Sequence, residues 1–199
     1  MLRSIRVVPA LACGLVLLTA CGSSPATVLS SASTEPAATT RSPSVPNPLS
    51  LTKLDADPCG ALTATELEPY IGALDKSQAE PVDGSTGPSC DYEPADGHQA
   101  GVDITALPEF GGPGNLGKSG IEWSEKSADI AGYPAEHQSL GGPTGPQNGD
   151  CGTIVAISDQ AAVNIYVQAP DSSYKYYSNL CVVSDALAPY VIVYLKSGR

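Results

Sequence analysis

The side chains that could do chemistry in this chain are few: six cysteines and two histidines, among 21 acidic and 10 basic residues. Cys59, Cys90, Cys151 and Cys181 lie far apart with no C-x-x-C pair, whereas a structural zinc site draws ligands from closely spaced pairs. Two disulfides are therefore the expected chemistry. Four cysteines allow three pairings. The favoured one joins neighbours in sequence, Cys59–Cys90 and Cys151–Cys181, each closing a loop of about 30 residues worth roughly 3–4 kcal/mol in the chain-entropy account.

The histidines offer less. His98 follows Gly97 in a turn and is expected to be solvated; His137 ends a strand and is expected to be half-buried and hydrogen-bonded rather than a base. No G-x-S-x-G or H-E-x-x-H occurs, so a hydrolase would need folding to bring His98 or His137 to a serine and an acid. Gly112-Pro113-Gly114-Asn115-Leu116-Gly117 matches G-x-G-x-x-G. Pro113 removes an N–H that a phosphate would want and no crossover helix follows, so the stretch reads as a loop. Asp55 and Asp57 lack the ligand count of a calcium loop and suit capping instead. No cofactor, metal or catalytic residue is expected. For binding, Trp123 and the tyrosines Tyr174, Tyr176 and Tyr177 are the candidate contact surface, since aromatics dominate such patches; the alternative is that the tyrosines pack where the last helix meets the sheet.

These residues need elements to position them. Leu62-Thr63-Ala64-Thr65-Glu66-Leu67 starts a helix: Thr63 caps, Glu66 closes a capping box, and Leu62 can staple to Leu67. That helix should run over 64–71, stop at Gly72, and kink at Pro69. Residues 75–88 read as loop. Ser89–Glu93 and Gly101–Leu107 read as an antiparallel pair around Asp96-Gly97, with Val102, Ile104 and Ala106 on one face. Short strands are expected at 127–130 and 135–138, with glycine-rich loops at 109–120 and 141–149. Residues 152–157 and 162–169 form the clearest hairpin around Ser158-Asp159-Gln160. A closing helix over 176–195 follows, with Leu180, Val183, Leu187, Val191 and Tyr194 as its core stripe and Pro189 bending or dividing it. The fold class expected is α+β: an antiparallel sheet packed by a short N-terminal helix and a C-terminal helix.

The N-terminus carries an address. Arg3 and Arg6 precede an apolar run, Val7–Leu18, of about a dozen residues, which suits a secretory signal and falls short of the roughly 20 needed to span a bilayer. Leu18-Thr19-Ala20-Cys21 resembles the lipobox of bacterial lipoproteins, which implies cleavage after Ala20 and diacylglyceryl attachment to the Cys21 thiol. Cys13 would leave with the signal, so the remaining four thiols are even in number, as an oxidising compartment favours. The Ser/Thr/Pro-rich stretch that follows has no apolar periodicity and reads as a disordered spacer, with O-glycosylation as the sharper alternative. The expected organisation is signal peptide over 1–20, lipidated cysteine and tether over 21–49, and one domain over 50–199. The membrane is thus an expected partner, through the anchor, on the outer face of the cytoplasmic membrane. The net charge of −11 argues against nucleic acid.

A family resemblance fits the same order. Asp57-Pro58-Cys59-Gly60-Ala61-Leu62-Thr63, Cys90-Asp91-Tyr92, Gly132-Tyr133-Pro134-Ala135, Cys151 before an apolar strand and a cysteine in the last helix resemble the actinobacterial lipoprotein family catalogued as domain of unknown function 3558, over residues 50–197. The resemblance implies location and disulfides and carries no catalytic residues. The reading reached is an extracytoplasmic binding, accessory or sensory module that contacts an envelope protein or small ligand. A carrier of an apolar envelope molecule, which needs a cavity between sheet and helix, is the alternative, and a hydrolase the next.

Overall fold

Backbone pairing joins seven strands into one antiparallel sheet in the computed structural model, which describes residues 44–80, 86–118, 120–142 and 145–197. In chain order the strands are β1 (Leu74–Glu80), β2 (Ser89–Pro94), β3 (Gly101–Leu107), β4 (Trp123–Lys126), β5 (Ala135–Ser139), β6 (Asp150–Ala156) and β7 (Ala162–Gln168). In space they run β1-β2-β3-β7-β6-β5-β4. Two meanders therefore meet at the central β3–β7 pair, where Ile104 stands opposite Ile165. The fold is α+β, as expected.

The helices are α1 (Thr52–Ala56), α2 (Ala64–Ile71) and α3 (Cys181–Lys196). α2 is built as the sequence dictates. The Thr63 hydroxyl accepts from the Glu66 N–H, the Glu66 carboxylate accepts from the Thr63 N–H, and Gly72 ends the helix at φ +74°. Alternation does the rest. Val102, Ile104 and Ala106 of β3, and Val163, Ile165 and Val167 of β7, face Leu67, Ile71, Leu180, Val183, Leu187 and Val191 in one dry layer. Each Val, Leu or Ile among them contributes about 1.5–3 kcal/mol on full burial. Disulfides Cys59–Cys90 and Cys151–Cys181 pin this layer at both ends, with sequence separations of 31 and 30. The second fastens the first residue of α3 to β6.

Several boundaries differ from expectation. Residues 75–80, part of the stretch 75–88 read as loop, belong to edge strand β1, whose mostly polar sequence gives no apolar alternation. Its place is held by backbone pairing to β2 and by the Lys76–Glu93 ion pair at 3.1 Å. The strand expected over 127–130 lies at 123–126, because β5 pairs with Trp123–Lys126; Ile130 instead bridges to Tyr133 in a tight turn. The closing helix begins at Cys181, not Tyr176: Tyr177 and Asn179 donate to carbonyls three residues back, in turns. Pro189 does not divide α3. One missing N–H bond is outweighed by a helix face whose Leu187, Ala188, Val191 and Ile192 are all fully buried. The domain also starts earlier than residue 50. Val45 donates its N–H to Asp159 Oδ1 at 2.9 Å, Leu49 its N–H to the Ile157 carbonyl at 2.8 Å, and both side chains are buried. The expected signal, Cys21 and the tether up to residue 43 lie outside the described residues.

Candidate functional site

The Cys151–Cys181 bond and the contacts of Thr153 with α3 show which sheet face the helices cover. Strand alternation then places Asp91 and Glu93 of β2, Asp103 of β3, Tyr166 and Gln168 of β7, Glu136 and Gln138 of β5 and Gly152 of β6 on the opposite face. Among the described residues that face carries no α-helix, only the short 3-10 turn Gly112–Asn115 of a crossing segment, and it is the helix-free face in that sense. Register aligns one polar row straight across it: Gln78, Asp91, Asp103, Tyr166, Gly152, Gln138, Ser124.

Strand order explains the one covering that this face does have. β3 is central and β4 is the far edge, so the chain between them must pass three strands. It crosses on the helix-free side, where Gly117 donates its N–H to Glu136. Two cavities open on this face. One of about 610 Å³ is lined by Asp91, Asp103, Gln99, Tyr166 and Gln168. The other, about 540 Å³, lies under the 113–117 segment and is lined by Pro113, Leu116, Lys126, Pro134 and Glu136.

Both cavities hold perturbed groups. Burial pushes the Asp103 carboxyl up to about 7; Thr105 donates to it and pulls it down, while Asp91 directly opposite raises it further. The facing Asp91 carboxylate thus adds to burial in favouring the protonated form of Asp103. Tyr166 donates to Asp150 Oδ2 at 3.1 Å, and burial together with that carboxylate raises its pKa. Glu136 is 1% exposed; burial raises its pKa and the Gly117 N–H opposes the shift. Its Oε1, with Gln138 Oε1 and Asn164 Oδ1, has no hydrogen-bond partner.

The histidines sit elsewhere. His98 is exposed and its Nδ1 lies 3.2 Å from Asp171 Oδ2. Two bonds from Ser173 and the contact with His98 hold the Asp171 carboxyl down at about 2. His137 is on the helix-covered face with its side chain 13% exposed, and its Nε2 lies 2.9 Å from Asp185 Oδ1. Burial opposes its charge, but the Asp185 bond and charge, and Glu125 beside Nδ1, outweigh burial and raise its pKa. Ser184 reaches Asp185 only through Thr153, by bonds of 2.7 and 2.8 Å, and is fully buried. Among the described residues no hydrogen bond joins either ring to a serine, so the acid and histidine of a triad meet without the nucleophile.

Of the rings expected to form a contact surface, Tyr174 is buried, while Trp123, Tyr176 and Tyr177 are half-buried against the core. Tyr174 is 4% exposed and donates to the Tyr70 carbonyl at 2.8 Å. Tyr176 stacks edge-on against it at 5.9 Å. Trp123 lies on Gly145, where a Cβ would come within 2.7 Å of the indole, and Tyr177 lies likewise on Gly149. Both glycines have positive φ. Gly145 and Gly149 are thus seats for rings, and Tyr176 and Tyr177 pack partly buried against the core. Among the described residues the exposed large apolar side chains are Leu140, Val182, Tyr190 and Val193.

Sequence reasoning missed Asp103 and Glu136. Asp103 stood on the polar side of an alternating strand, which was the available signal, whereas the strand of Glu136 has no apolar alternation to mark it. What made them special, a facing carboxylate and a crossing loop, is not local. Comparison with known proteins adds a family: the model described as protein of unknown function (DUF3558) matches residues 16–194. No curated protein and no solved structure matches.

Proposed function

This chain belongs to the DUF3558 family, and from that premise we propose that it is a lipid-anchored, extracytoplasmic binding module that takes its partner on the helix-free face of the sheet. The observation that carries the reading is the division of the sheet. One face is filled by helices and dry side chains; the other bears a polar row between two cavities of about 610 and 540 Å³. Cavities with a few convergent polar groups are where ligands are held. The anchor is supported by the sequence from Arg3 to Cys21, and an exported setting suits two disulfides.

The carrier and hydrolase readings have less support. A carrier needs space between sheet and helices, and there Ile104, Ile165, Leu187 and Val191 are fully buried against one another. A hydrolase needs a nucleophile at His137, and its neighbours are carboxylates.

Photo-crosslinking in the native envelope tests the reading. A photoreactive residue at Gln168 should give a defined adduct that the same residue at Val193 does not, and Cys21→Ala should release the protein from the membrane fraction. Adducts of equal yield at both positions, or a Cys21→Ala protein that stays in the membrane, would overturn it.

A further inference from the structure

α3 is apolar on both of its sides. Its inner side, with Val183, Leu187, Val191 and Ile192, is fully buried. On its outer side Val182, Tyr190 and Val193 are exposed, Val193 by 62%, and Ala186 and Pro189 lie half-buried between them. Positions 182, 186, 189 and 193 step by four, three and four residues, so they form one row along the helix. The only charged residues in the 16-residue helix are Asp185, bound to His137 and Thr153, and Lys196 at its end. A helix that is apolar all round is ordinarily covered all round. Single exposed apolar side chains are common, but a contiguous row marks a surface that something occupies.

Size, charge and tethering decide the occupant. A stable protein interface takes about 20–30 residues a side, and this row with its flanking Tyr190 supplies five, too few for a second copy of the chain. Lys53 and Lys196 stand at its C-terminal end, where Lys53 donates to Ser197 Oγ at 2.7 Å, but Asp55 and Asp57 follow Lys53 closely and the chain as a whole is at −11. Attraction to a charged surface is therefore not what the row offers. It suits an extended apolar layer, and the course of the chain brings one near. Tyr133 donates to the Asn47 carbonyl at 2.8 Å, and Lys196 Nζ lies 5.1 Å from the centre of the Tyr133 ring. The described chain thus begins beside the last residue of α3. Residues 22–43 can span at most about 80 Å, so lipid on Cys21 would keep this helix close to a bilayer and make even a weak contact effectively intramolecular.

We propose that the outer face of α3 lies on the surface of the lipid bilayer, with Val182, Pro189 and Val193 at the outer ends of the acyl chains and the Tyr190 hydroxyl among the head groups. The helix lies along the surface: among the described residues no helix is long and apolar enough to cross a membrane, and the Cys151–Cys181 bond keeps its start on β6. This rests on the reading that Cys21 carries lipid, and it adds an orientation. α3 sits on the covered side of the sheet, so the helix-free face points away from the bilayer, toward the partner.

The test uses the full chain, purified from its own envelope into nanodiscs of phosphatidylcholine, with methyl signals followed by NMR and a nitroxide at the top of the lipid acyl chain as relaxation probe. Expected is a several-fold greater relaxation enhancement for Val182 and Val193 than for Leu107, which alternation puts on the helix-free face, and no loss of that difference on adding salt. Val193→Asp should lower the enhancement at Val182 several-fold while Cys21 keeps the protein with the disc. The comparison of Val193 with Leu107 in the unaltered chain holds even if that variant fails to fold. Equal enhancement at Val193 and Leu107 in a protein that stays with the disc would overturn the proposal and spare the anchor. Val182 and Val193 shielded both from the lipid nitroxide and from a water-soluble gadolinium chelate would mean that protein covers the row, and would overturn it. Greater enhancement at Leu107 than at Val193 would overturn this orientation together with the helix-free face as the partner's side. A chain that does not enter the discs would overturn the anchor on which both readings stand.

Discussion

Replacing Asp185 with Asn should reverse the pH dependence that His137 gives to this fold. Asp185, on α3, lies 2.9 and 3.0 Å from His137 Nε2 on β5 through its two oxygens and accepts the Thr153 hydroxyl of β6 at 2.8 Å. Three elements thus meet on one carboxylate. In the folded protein the His137 pKa stands above its ordinary 6.5: burial lowers it, but Asp185 and Glu125 raise it by more. A raised folded-state pKa means that the imidazolium's contribution is fully present below pH 6.5. It is lost as pH rises through the folded value. The amide of an Asp185→Asn variant would keep an acceptor for Thr153 and lose the charge, so burial would dominate and the His137 pKa would fall. Acidification would then destabilise the variant, because the unfolded chain would take up the proton first. A hydrogen bond to a charged group contributes about 1.5–3 kcal/mol. Asp185 is 35% exposed at its side chain, so screening reduces this. The expected loss is about 1–2 kcal/mol at pH 5.5 and under about 1 kcal/mol at pH 8.5. Urea unfolding at the two pH values, with NMR titration of the His137 ring, reads both quantities. A wild-type His137 titrating at or below 6.5, or a stability gap that widens with rising pH, would refute the reasoning.

Replacing both Cys151 and Cys181 by Ser should cost about 3–4 kcal/mol in urea unfolding, as a loop of some 30 residues reopens in the unfolded chain; a loss below about 1 kcal/mol would mean that the start of α3 is held by packing alone. Gly152→Ala should cost about 1–3 kcal/mol, because its Cβ would stand 2.8 Å from Asn164 Oδ1 and 3.1 Å from Gln138. Adding Asn164→Ala should recover part of that loss in a double-mutant cycle, and strict additivity would show that the crowding is not at Asn164.

Much of the local structure was legible because its causes are local. Thr63 and Glu66 cap a helix through bonds within one turn, and Val163, Ile165 and Val167 alternate because a strand's side chains alternate. Local reasoning failed where a neighbour decides. Leu74–Glu80 has no apolar face, so only its pairing with β2 makes it a strand. Tyr174 looks like a contact residue by type, yet it is buried with its hydroxyl on the Tyr70 carbonyl.

The same division holds for the site. The amino-acid sequence by itself determined the α+β class, the helix start, the central hairpin and the cysteines available for pairing, because periodicity, capping and composition act over a few residues. Only the tertiary structure decided that β3 lies beside β7, which forces the long connection across the helix-free face, sets Asp91 against Asp103 and closes Gly117 over Glu136. Strand order follows from packing every apolar face at once, a property of the whole chain that no short segment encodes.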